Sequence, residues 1–101
     1  MHFFYKLIAP RPDFHLTMDE KESSTMKEHM AYWAALFENK KVIVYGPVFD
    51  PSGVYGMAVL EVESEFQADL IKNNDPAVML NQRPNNSFHA ASYLSSFFHK
   101  G

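Results

Sequence analysis

The sequence predicts an α+β domain of element order βαββαβ, in which four strands form one antiparallel sheet and both helices lie on the same face of it. Three observations carry this. Short runs rich in aromatic and branched residues occupy residues 2–9, 41–49 and 54–62. Two helical stretches open on capping-box spacings, and strong turn chemistry joins the two middle strands.

Residues 2–9 (HFFYKLIA) read as the first strand and stop at Pro10, and residues 10–16, with two prolines, read as a loop. Thr17 stands three residues before Glu20, which opens a helix that runs to about Glu38. Asn39 ends it, as a residue that tolerates the left-handed conformation. Residues 41–49 (KVIVYGPVF) and 54–62 (VYGMAVLEV) form a hairpin about Asp50-Pro51-Ser52-Gly53. Gly46-Pro47 marks a bulge or kink within its first strand.

Ser64 precedes Gln67 by the capping-box spacing and opens a shorter helix to about Asn73, with Phe66 and Leu70 one turn apart. Asp75-Pro76 restarts a brief helical turn, Asp as cap and Pro at the first position. Residues 83–87 read as loop and 88–98 as the last strand. Right-handed crossovers then place both helices on one face.

The 101 residues fit a single domain spanning 1–101. At 47% hydrophobic and 15% aromatic, the chain carries ample apolar surface for a core. Its formal charge of −3, with no basic block, argues against nucleic acid as a partner. No cysteine is present, so disulfides, thiolate metal sites and a cysteine nucleophile are all excluded, and a cytoplasmic location is favoured. Neither a signal peptide nor an apolar run long enough to span a bilayer is seen, so no membrane association is expected.

The strands are apolar on both sides. Phe3, Tyr5 and Leu7 alternate with Phe4 and Ile8, while Val42, Val44 and Val48 alternate with Ile43, Tyr45 and Phe49. A sheet with one wet face should alternate apolar with polar residues. Leaving such side chains in water forgoes about 1.5–3 kcal/mol each, so a homodimer joined face to face through its sheets is expected. The alternative is that the C-terminal segment folds over the bare face.

The residue that directs the functional reading is His29. At helical spacing it falls in one stripe with Met26, Met30, Trp33, Leu36 and Phe37, so a titratable ring is aimed at the interior. A buried polar group without a partner costs about 1–3 kcal/mol, which calls for a partner, a water or a ligand. His29 is then either a general acid/base or a core histidine satisfied for stability alone. Arg11, stiffened between prolines, is a candidate for gripping a substrate carboxylate or a plain surface cation. Tyr5, Tyr32 and Tyr45, with Trp33, are candidates for an aromatic pocket wall or simple core. His2, His15, His89 and His99 lack metal-ligand spacing, and Gly46, Gly53 and Gly56 do not make a phosphate loop, so neither a metal nor a cofactor is expected.

Several separated motifs occur in order: Arg11-Pro12-Asp13-Phe14, Thr17-Met18, His29 with Tyr32-Trp33, Gly46-Pro47-Val48, Asp50-Pro51 with Gly53, and Asp75-Pro76-Ala77. Together they resemble the YciI-like (YCII-related) proteins from the first strand to about Ala77. The resemblance implies a ferredoxin-like fold paired into a dimeric α+β barrel. It also implies a His and an Asp that share a pocket between helix and sheet as an acid/base pair, carried over here as His29 and Asp75. Asp75 would cap its turn with one oxygen and reach the ring with the other. Related barrels include isomerases and a dehydrochlorinase acting on aromatic-derived compounds. The expected function is therefore cofactor-independent proton transfer (isomerisation, elimination or lactone-type) on a small, partly aromatic molecule, with an anionic one as a candidate. The alternative is a module that binds a metabolite without converting it, or a structural dimer. Where the family generally ends its first helix with Gly, this chain has Asn39-Lys40-Lys41.

Overall fold

The computed structural model describes residues 1–81 and 90–97. The expected loop at 83–87, the ends of the expected last strand at Phe88 and Phe98, and His89 and His99 lie outside the described residues. The elements are β1 (His2–Ile8), α1 (Phe14–Thr17), α2 (Glu20–Glu38), β2 (Val42–Asp50), β3 (Gly53–Glu61), α3 (Glu65–Asn73), α4 (Pro76–Asn81) and β4 (Ala91–Phe97). The strands form one sheet in the order β2-β3-β1-β4, every neighbouring pair antiparallel. This is the ferredoxin-like α+β architecture.

The start of the long helix differs from the expectation. Thr17 does not cap it, because its carbonyl and hydroxyl both accept from the Arg11 guanidinium, at 2.6 and 2.7 Å. Residues 14–17 instead form a single helical turn, α1, which takes up the end of the 10–16 segment read as loop and Thr17 itself. The capping box falls two residues later. Asp19 accepts from the Glu22 backbone N–H at 2.7 Å, and the Glu22 carboxylate accepts from the Asp19 N–H at 3.0 Å. At the other end the left-handed residue is Lys40, with φ 62°, and not Asn39, with φ −83°.

The second cap lies where expected, Ser64 accepting from the Gln67 N–H at 3.1 Å, but Gln67 reaches back to Glu63 instead of closing the box on Ser64. The irregularity in β2 falls between Val42 and Val44, ahead of Gly46-Pro47, so the bulge expected at the glycine is displaced.

Register assigns the faces. Tyr5 pairs with Ala58 and Leu94, and Phe3 with Leu60, so these residues share one surface with Leu7. That surface is buried under the helices, with Trp33 of α2, Ala68 of α3, and Ala77 and Val78 of α4 completing the core. The opposite surface carries Phe4, Ile8, Val44, Val59, Tyr93 and Phe97. Of these, Ile8, Val44, Tyr93 and Phe97 are exposed in the single chain. No helix among the described residues is long and apolar enough to cross a membrane.

Candidate functional site

Asp75 begins as a local necessity. It stands immediately before α4, and its Oδ1 accepts the Ala77 N–H at 2.9 Å, the side-chain bond a helix start needs. Packing then carries this carboxylate under α2, where it is fully buried. Three side chains donate to it there: Tyr5 Oη from β1 at 2.8 Å, Trp33 Nε1 from α2 at 2.9 Å, and His29 Nδ1 from α2 at 2.8 Å to Oδ1 and 2.9 Å to Oδ2. The spacing of His29 and Trp33, four apart on one helix face, lets both reach the same acceptor.

The electrostatics follow from this cage. Burial alone pushes the Asp75 carboxyl up, but the bond and charge of His29, with the Trp33 and Ala77 donors, outweigh it and hold the group below the usual carboxylate range. Burial, and next to it the Asp75 charge and hydrogen bond, push the Tyr5 phenol far up, so it stays a donor. Tyr32 is pushed up to about 12, by burial and then by the Asp75 charge. No buried side-chain nitrogen or oxygen among the described residues lacks a partner.

An acceptor-only carboxylate fixes His29 with its proton on Nδ1. Nε2 is then the nitrogen left for chemistry. The ring is 13% exposed and lies in the wall of a cavity of ≈ 340 Å³, a volume within the range of small-molecule sites. Met18, Met26, Met30 and Trp33 bound the cavity on the helix side, and Leu7, Tyr45, Pro47, Phe49 and Gly56 on the sheet side. Pro47 and Gly56, paired across β2 and β3, form part of its sheet wall.

Of the residues singled out from sequence, His29, Asp75 and Tyr5 are brought together by direct bonds, and Tyr45 joins His29 and Tyr5 in the cavity wall. Two lie elsewhere. Arg11 forms a bidentate pair with Glu22, at 2.8 and 3.0 Å, and also binds Thr17, so its donors fasten α1 to α2 outside the cavity lining. Tyr32 donates to the Ile71 carbonyl at 2.6 Å and ties α2 to α3. The stripe on α2 also splits: Trp33 is core, whereas Met30 and Phe37 are exposed.

Sequence reasoning placed Trp33 in an aromatic pocket wall or the core and missed its bond to Asp75; the shared helix face of His29 and Trp33 was the available signal. His15, set aside as a metal ligand, lines the cavity and packs edge-on against Phe49 at 6.1 Å between ring centroids. Nothing in the order of residues brings α1 to that mouth.

No protein-family model matches the chain, and no curated protein matches it. Among solved structures, it is similar to 5-chloro-2-hydroxyhydroquinone dehydrochlorinase (TftG) from Burkholderia phenoliruptrix AC1100, in complex with 2,5-dihydroxybenzoquinone. The TM-score is 0.68 at 18% sequence identity, over 99% of this chain and 96% of that one. The two chains share a fold along nearly their whole lengths.

Proposed function

We propose that this chain is a YciI-like cytoplasmic protein that converts a small molecule by proton transfer, with His29 as the acid/base and Asp75 as the group that orients it. The observation that carries the reading is a buried carboxylate that takes Nδ1 of a histidine whose ring stands in the wall of an apolar cavity. Nε2 accepts a proton from a substrate C–H or O–H. The imidazolium so formed is stabilised by Asp75, and the proton returns at another atom of the substrate or to a leaving group. The reaction is an isomerisation, an elimination or a lactone-type step, and needs no cofactor. Tyr5 and Tyr45 supply aromatic wall, while Arg11 and Tyr32 hold the elements around it.

The distant likeness to a dehydrochlorinase favours halogenated and hydroxylated aromatics, with lactones, as the compounds to assay. His29→Gln is expected to lower turnover of whichever compound the parent converts by about 10²–10⁴-fold. Turnover at the parent rate in the variant overturns the proposal. The wall of methionines and aromatics favours a second reading, a binding module, in which the same compounds raise the melting temperature and no product appears by mass spectrometry.

The bare face of the sheet supports a homodimer. Phe4, Val44 and Tyr93 form an apolar surface of the kind a second copy covers. The expected mass in solution is twice the 11.6 kDa of one chain. A monomer at micromolar concentration overturns it.

A further inference from the structure

Strand β3 contains a glycine that its backbone does not require. Gly46 and Gly53 have φ 154° and 139°, conformations that side chains resist. Gly56, midway along β3, has no positive φ and sits in regular ladders opposite Leu7 and Pro47. A Cβ built on it would meet only Leu7, at 3.8 and 3.9 Å, which is ordinary contact. Glycine weakens a strand interior, and here neither conformation nor crowding accounts for it. What the missing side chain leaves is space, because Gly56 forms part of the cavity wall on the surface that faces α2.

We propose that Gly56 is the specificity-determining position of this cavity: its bare backbone is a flat platform on which a planar ring lies, with Met26 and Met30 of α2 on the far side and His29 in the same wall. The inference rests on the reading of the cavity as the substrate site, and it names the class of substrate. That class is a flat one- or two-ring compound carrying a hydroxyl. Methionine thioethers suit such a ring, since they adapt in shape and make favourable contacts with aromatic faces and edges.

The test uses the full chain, its Gly56→Ala, Gly56→Val and His29→Gln variants, and three probes: phenol, 2-naphthol and cyclohexanol. Binding is followed by NMR titration, and each variant's melting temperature is measured. The parent is expected to bind phenol and 2-naphthol at least tenfold more tightly than cyclohexanol, whose ring is puckered. Gly56→Ala should weaken 2-naphthol more than phenol. Gly56→Val should weaken both at least tenfold while melting at or above the parent temperature, because valine suits a strand and its Cβ would meet Leu7 only at ordinary contact. In His29→Gln the readout is turnover, which should fall sharply.

Parent-like binding of 2-naphthol by both Gly56 variants overturns the platform, as does cyclohexanol bound as tightly as phenol. A sharp fall in the melting of both Gly56 variants overturns it too, since the position would then be crowded. If the platform fails in this way while His29→Gln still abolishes turnover, the catalytic reading stands without it. If the parent binds none of the three probes, the platform falls, and the catalytic reading is decided by turnover in His29→Gln.

Discussion

Two of the acid–base pairs among the described residues are built in opposite ways. Arg11 and Glu22 meet in a bidentate contact at 2.8 Å, with the arginine side chain 35% exposed. His29 and Asp75 meet at the same distance, but the carboxylate is fully buried and takes two further side-chain donors and a backbone N–H. Distance therefore says little about what a pair does. Solvent reaches the first from its arginine side, the Glu22 side chain being 12% exposed, and screens it in part, so it is a tether for α1. The second sits where any loss leaves groups stranded, and its imidazole fronts an apolar cavity.

The largest expected effect comes from Asp75→Ala. Removing the acceptor strands His29, Tyr5 and Trp33 together, and a loss of about 3–5 kcal/mol is expected in chemical denaturation. A loss no greater than that of an ordinary surface change would erase the contrast between the pairs.

Acid sharpens it next. The folded-state pKa of Asp75 lies below its unfolded value, so its contribution to stability is complete above about pH 4, the unfolded value. It is lost as pH falls through the lower folded value. Stability measured from neutral pH downward should therefore decline below about pH 4, and Asp75→Asn should show a shallower decline over the same window. An equal slope in both proteins would mean that the carboxylate is not held ionised by its cage. Glu22, lowered by its Arg11 bond, adds to the slope with the same sign and remains in the Asn variant.

Arg11→Ala is the smallest change. It should move the melting temperature only slightly, and by less still in about 1 M salt, where exposed charges are screened. Its readable consequence is local: α1 loses the bonds through Thr17, and amide exchange in residues 14–17 should quicken. Unchanged exchange there would show that Phe14, which is buried, holds the turn without help.

The architecture was legible because its signals are periodic and local. Runs of aromatic and branched residues gave the strands, Asp-Pro-Ser-Gly gave the hairpin, and Asp75-Pro76 gave the start of α4. His29 on an apolar stripe gave one half of the site, and Asp75 came with it through motif resemblance. What sequence could not convey was competition between neighbours for the same hydrogen bonds. Thr17 has good capping chemistry, yet Arg11 takes its oxygens, and the helix begins two residues later. Arg11 looked available to a ligand for the same reason, since nothing in the order of residues shows that Glu22 reaches it. The convergence of Tyr5 and Trp33 on Asp75 spans 70 and 42 positions, and only the packing of α2 and α4 on the sheet creates it.

The chain has a single tryptophan, and it is Trp33. Its indole N–H is bonded to the carboxylate that orients His29, and its ring centroid lies 6.4 Å from the imidazole. The protein thus contains an intrinsic fluorophore wired to the residues of greatest interest. A compound seated beside it, or a proton arriving on Asp75, changes the electric field across the indole and so the colour and yield of its emission. Occupancy and ionisation can both be followed in the unlabelled protein, with no second emitter of the same kind to confuse the signal.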